Sequence, residues 1–381
     1  MTYEHAFEAD EPAIPSIPHL LESVGHTPLV RLENLTTRSE GRLLAKLESA
    51  NPGGSLKDRA AWHIIRDAEA RGLLRRGATI IESSSGNFGI ALAMIGAARG
   101  YRVIAIVDPK ITPTNLALFA AFGAEVVVIE EKDDSGSYHK TRIAYANRLH
   151  REIPGSFRPD QCFNPLNSEA HYQSTAPELL ADLGPSLSTV VCTVSTGGQL
   201  GGISRYLRRY APHVKVVGVD VDGSTVFGGE AHGYLTPGVG LSWTPDNLDD
   251  LSAVNEVYIV SDEDAFVACR TLVRTEGLLA GVSTGAALLV AFRLAIASRP
   301  RDHVVFLASD RGERYLQTAF DERWLKEHGM STEISLEGLR RRAARLRPLS
   351  TDPKSECANY RYELAEQLDS PTARRRPKRL G

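Results

Sequence analysis

Between about residues 43 and 315 the chain repeats one pattern: a short apolar run rich in β-branched residues, then a stretch with helical periodicity. The runs fall at 43–47, 79–81, 103–107, 126–129, 190–194, 216–219, 257–260 and 304–307. Helical periodicity occupies 60–70, 90–98, 114–122, 138–149, 203–210, 262–276 and 284–297. Strands that are apolar throughout, instead of alternating, are buried on both faces, and the helices between them supply the cover. The pattern therefore predicts an α/β fold with mostly parallel twisted sheets. Gly100 and Gly123 stand where helices should end in a left-handed cap. The stretch 151–160, with Pro154, Gly155 and Pro159, reads as a connector, so two open α/β domains are expected. On this reading 43–150 form a smaller N-terminal domain, and 18–42 join 151–330 in a larger one. Residues 1–17 become a flexible arm and 331–381 a basic C-terminal extension, with a basic helix over 336–346.

Composition narrows the classes. Hydrophobic residues at 42% and charged residues at 24% of 381 suit a folded core. A formal net charge of −3 argues against whole-chain binding to a polyanion, and the basic tail lacks interleaved aromatics, so no nucleic-acid partner is expected. No apolar run approaches the ~18 residues of a membrane span, and the acidic start lacks a signal peptide's basic and apolar regions. A cytoplasmic protein without membrane contact is expected. Four cysteines without CxxC spacing exclude a disulfide scaffold or zinc ribbon and give no metal site. Cys192 and Cys269 read as small core residues.

Several strand-to-helix loops carry chemistry. In Asn51-Pro52-Gly53-Gly54-Ser55-Leu56-Lys57-Asp58-Arg59 a Gly-rich turn enters a helix, with Ser55 and Asp58 spaced as a capping box. Lys57 then lies in the first helical turn, where the helix dipole disfavours an ammonium and favours a nucleophilic amine. Glu82-Ser83-Ser84-Ser85-Gly86-Asn87-Phe88-Gly89 offers hydroxyls and free helix N–H groups to a carboxylate or phosphate. Val194-Ser195-Thr196-Gly197-Gly198-Gln199 has the glycine density of a phosphate loop, without a Walker lysine or a dinucleotide fingerprint. Gly281-Val282-Ser283-Thr284-Gly285 opens a further helix with small residues. Each loop alone also reads as an ordinary capped turn.

Their order resembles the fold-type II pyridoxal-phosphate enzymes, the group of cysteine synthase, cystathionine β-synthase and tryptophan synthase β. The resemblance runs from His19 (HLLESVGHTPLVRLENL) to Asp310-Arg311-Gly312-Glu313-Arg314-Tyr315. It implies pyridoxal 5'-phosphate as cofactor, small-molecule amino-acid substrates and a homodimer. By that resemblance Lys57 is similar to the lysine that holds the cofactor covalently, and Asn87 to the residue facing its phenolic oxygen. Ser195, Thr196, Gly197, Gly198 and Gln199 match the loop for its phosphate, and Ser283 the serine facing its pyridine nitrogen. Ser84, Ser85, Gly86 and Gln161 resemble groups that hold the substrate α-carboxylate. A neutral hydroxyl at Ser283 leaves the ring a weaker electron sink than a carboxylate would, which favours loss of a β-substituent over transamination. Lys57 would then move the proton at Cα as general acid and base in turn.

Departures from cysteine synthases point to one branch. Ser195 replaces a glycine, Phe88 a threonine, and the segments 107–115, 220–228 and 309–315 are distinctive. These are similar to the N-(2-amino-2-carboxyethyl)-L-glutamate synthase family, which joins O-phospho-L-serine to L-glutamate on the way to L-2,3-diaminopropionate, a building block of siderophores and peptide antibiotics. Ser195 and Arg142 are the expected donors to glutamate, and Arg142 and Arg311 to a departing phosphate. Asn164-Pro165-Leu166-Asn167, in contrast, is nearer the cysteine synthase pattern. Sulfhydrylation of O-acetyl- or O-phosphoserine thus stays open, as does a scaffold that keeps the fold without turnover. A dinucleotide-dependent dehydrogenase is excluded, since fingerprint and ribose acid are missing.

Overall fold

A computed structural model of the chain describes residues 19–133, 136–248 and 250–349, together with the backbone of 379–380. The expected arm over 1–17 and most of the extension past 349 lie outside the described residues.

Strands β1 (Leu29–Leu32), β2 (Arg42–Leu47), β6 (Leu187–Thr193), β7 (Lys215–Val221), β8 (Glu256–Val260) and β9 (His303–Ala308) make a six-stranded sheet in the order β1-β2-β9-β6-β7-β8. Its pairs are parallel except β1 with β2. A second sheet holds β3 (Thr79–Ser83), β4 (Arg102–Val107) and β5 (Glu125–Val128) in parallel, with β10 (Arg379–Leu380) antiparallel along β5. Every apolar run read as a strand forms one. Their side chains are buried because helices cover both faces. On the larger sheet one such helix is α9 (Val282–Ile296), apolar nearly all round and buried along most of its length.

One boundary differs from expectation. Residues 43–47, grouped with the smaller domain, belong to β2 in the six-stranded sheet, where Leu43 and Ala45 share a core with Val304 and Phe306. Two-sided burial between β1 and β9 places the strand there. The connector around 157 also joins a sheet: the Phe157 N–H donates to Thr79 O, and the Ile81 N–H donates back to Phe157 O, along the edge of β3. Cys192 and Cys269 are buried and unpaired by disulfides.

The expected basic helix forms as α11 (Leu336–Arg345). Leu339 and Ala343 enter the larger core, while Arg340 pairs with Glu40 (2.8 Å) and Arg342 with Glu263 and Asp264 (2.7 and 2.5 Å). Local acids thus neutralise those charges. No helix among the described residues is long and apolar enough to cross a membrane.

The chain leaves β6 for β7 and β8 and then crosses back to β9 on the other side of β6, so strand order reverses between β9 and β6. Loops at strand carboxyl ends diverge at such a point and leave a crevice. All the loops singled out above except the one opening α9 follow a strand's carboxyl end.

Candidate active site

Lys57 is the first residue of α1 (Lys57–Ala70), just past the turn that leaves β2. The capping box expected of Ser55 and Asp58 does not form. Instead the Asp58 carboxylate folds back to accept from the Gly53 N–H (2.5 Å), and Ser55 Oγ accepts from the Lys57 N–H (3.2 Å). Gly54, at φ +84°, makes the reversal possible, and Arg314 donates to Gly53 O at 2.6 Å. Arg59 anchors the other side of the lysine by pairing with Glu48 (2.7 Å) and Glu178 (2.6 Å). Burial strips water from the Lys57 amine and brings its pKa down to about 8, against the opposing pull of Cys162 and Asp310. About a tenth of the amine is then uncharged at pH 7, far more than at the ordinary value of 10.5, which suits it to attack a carbonyl.

Asn87 opens α2 (Asn87–Arg99) from the smaller sheet. Ser84 Oγ accepts from the Gly89 N–H (3.1 Å), which fixes the loop around Gly86. Ser85 Oγ donates to Asp108 (3.0 Å) and receives Arg142 Nη1 (2.7 Å). Arg142 itself is buried and ion-paired with Asp108 at 2.9 Å. It therefore stands behind the serine loop. Phe88 turns away into the core beneath α1, so that departure from the cysteine synthase pattern is a packing change.

Gly197, at φ +80°, precedes α7 (Gly198–Tyr210), and no side chain caps this helix. A Cβ on Gly198 would collide with the Asn167 amide, whose Nδ2 donates to Thr196 Oγ1 (3.0 Å) and to Gln161 O (2.7 Å). Ser195 Oγ donates to Gly240 O at 3.2 Å. Ser283 is the second residue of α9, another helix start without a side-chain cap.

Lys57, Asn87, Ser195, Thr196, Gly197, Gly198, Gln199 and Ser283 line one cleft. Ser84, Ser85, Gly86, Gln161, Arg142 and Arg311 are not among its lining residues. The first three flank Asn87. Gln161 lies in the turn before α5 (Leu166–Gln173), and exposed Arg311 lies over the Lys57 turn, donating to Ser49 O at 3.0 Å. Sequence reasoning gave no site role to Tyr315, Gly238 and Ser309, which line the cleft together with Leu56 and Thr193, nor to Asp310 behind it. Asp310 Oδ2 accepts from Asn87 Nδ2 (2.8 Å) and from the Tyr315 hydroxyl (2.6 Å).

A profile described as "Pyridoxal-phosphate dependent enzyme" matches residues 20–310, and the chain belongs to that family. It is an enzyme of the fold-type II class, dependent on pyridoxal 5'-phosphate and of the β-replacement type. Among individual relatives, the N-(2-amino-2-carboxyethyl)-L-glutamate synthase of Cupriavidus metallidurans is 42% identical over 310 residues, 80% of this chain and 90% of that protein. O-ureido-L-serine synthase superimposes with a TM-score of 0.75 at 34% identity, over 82% of this chain and all of that one. The O-acetylserine dependent cystathionine beta-synthase from Helicobacter pylori gives 0.73 at 31%, over 80% of this chain and 99% of that one.

The residues present fit the cofactor. Among the described residues, buried Gln199 Nε2 has no hydrogen-bond partner and the N–H groups at the start of α7 meet no side-chain acceptor, as a phosphate cradle requires. The amine of Lys57 lines the same cleft, with the Ser283 hydroxyl.

Proposed function

We propose that the enzyme joins O-phospho-L-serine to L-glutamate, forming N-(2-amino-2-carboxyethyl)-L-glutamate and phosphate for L-2,3-diaminopropionate biosynthesis. The observation that carries this reading is the 42% identity to the Cupriavidus metallidurans synthase across 90% of that protein's length. When bound, the cofactor supplies the electron sink that acidifies the substrate's Cα. In this reading Lys57 carries the cofactor and takes and returns the Cα proton. Asn87 faces the ring's phenolic oxygen, Ser283 its nitrogen, and Ser195 to Gln199 its phosphate. The start of α2, with Ser84, Ser85 and Gly86, holds the substrate carboxylate together with Gln161. Phosphate leaves Cβ and the glutamate nitrogen bonds there. Arg142, its charge partly committed to Asp108, keeps Ser85 in place from behind and acts on glutamate through it, Ser195 meets glutamate, and Arg311 attracts phosphate at the rim. We also infer a cytoplasmic homodimer, checked by sedimentation of the pure protein.

Sulfide as the second substrate is favoured by one feature, the Asn164–Asn167 segment, whose Asn167 bonds Thr196. A substrate panel separates the readings: phosphate release from O-phosphoserine should require glutamate and not sulfide. Faster sulfide-dependent formation of cysteine would reject the glutamate reading. Lys57→Ala should lose bound cofactor colour and lower turnover by at least ~10²–10⁴-fold, the reach of general acid–base catalysis.

A further inference from the structure

The carboxyl of Asp310 lies where the two sheets meet. Asp310 follows β9 of the larger sheet, and Asn87 opens α2 of the smaller one, 223 residues away in sequence. Asp310 is 1% exposed, and its backbone is fixed to the turns that carry the other functional groups. It bridges Ser55 in the Lys57 turn, and its carbonyl accepts from the Gly281 N–H ahead of Ser283. Its Oδ2 receives two donors, Asn87 Nδ2 at 2.8 Å and the Tyr315 hydroxyl at 2.6 Å.

An asparagine amide has nearly the same shape in its two flipped orientations, so packing does not choose between them; polar partners do. Oδ2 of Asp310 accepts hydrogen bonds whether or not the carboxyl carries a proton on Oδ1. Flipping Asn87 would set its carbonyl oxygen against that acceptor. One hydrogen of Nδ2 is therefore held by Asp310, and the other stays available to an acceptor in the cleft that Asn87 lines.

We propose that Asp310 is a positioning residue: it selects the flip of the Asn87 amide, so that Asn87 presents an N–H to the cofactor's ring oxygen. This rests on the reading of Asn87 as that oxygen's partner, given above.

The test is a double-mutant cycle on Asp310→Ala and Asn87→Ala, read by the dissociation constant of pyridoxal phosphate and by the absorbance spectrum of the loaded protein. Asp310→Ala should weaken cofactor binding about tenfold, the scale of one lost buried hydrogen bond, and change the spectrum. In the Asn87→Ala background the same substitution should change affinity less than twofold, because its effect passes through Asn87. Asp310→Asn keeps an acceptor oxygen and should recover most of the affinity. If Asp310→Ala does not fold, Asp310→Leu, which keeps most of the volume and lacks an acceptor, takes its place in the cycle. Equal losses in both backgrounds would overturn the inference and leave the Asn87 reading intact. An Asn87→Ala protein with unchanged affinity and spectrum would overturn both.

Discussion

Lys57 binds protons more weakly in the folded chain than in the unfolded one, because burial lowers its pKa from 10.5 to about 8. Between those values the unfolded state holds more proton, so this residue makes the cofactor-free protein more stable as pH rises from about 8 to 10.5. The gain should disappear in Lys57→Met, measured as the difference between urea unfolding curves of the two proteins across that window. An equal pH slope in both would contradict the assignment. Lys57 was legible in sequence because its turn residues are contiguous. The partner of Asn87 was not: Asp310, itself bonded by Tyr315, follows an inner strand of the larger sheet 223 residues away, and no local pattern marks a contact at that separation. Phe88 misled for a related reason, since identity alone does not tell which way a side chain turns at a helix start.

At the scale of elements, the phosphate loop depends on how closely α7 lies against α5. A Cβ on Gly202 would run into Ser168 O and approach the Tyr172 backbone nitrogen to 2.9 Å. Alanine normally gains about 1 kcal/mol over glycine inside a helix, but backbone atoms cannot yield as flexible side chains do. Overpacking at ~1–3 kcal/mol should win. Gly202→Ala is therefore expected to be destabilised in urea and to bind pyridoxal phosphate more weakly, and a stabilised variant would contradict this packing. The strands and the longer helices could be read from periodicity because two-sided burial writes it plainly. Strand β1 and the helices α5 and α6 (Thr175–Leu183) could not. Strand β1 is four residues at a sheet edge with only Leu32 fully buried, and α5 holds its place through Asn167, Ser168 and His171 more than through an apolar stripe.

Across the whole molecule, an ion network ties the lysine-bearing helix to the larger sheet. Arg59 holds Glu48 and Glu178, and buried Lys46 adds a bond to Glu178 at 2.9 Å. Burial alone would raise the pKa of Glu178, yet Arg59 and Lys46 prevail and bring it down to about 2. Its contribution is complete above about pH 4.5, the unfolded value, and is lost as pH falls toward 2. Arg59→Met would strand the fully buried Glu48 and should cost about 3–5 kcal/mol. Chemical denaturation and an acid transition moved to higher pH would both register it; unchanged curves would contradict the network's role. The same architecture aims the uncapped start of α7, and that of α9, into one crevice. Before loading, that concentration of unanswered amide dipole attracts any small oxyanion in the medium. Reconstitution of the apoprotein should accordingly slow as sulfate or inorganic phosphate is raised and proceed fastest in a chloride buffer of equal ionic strength.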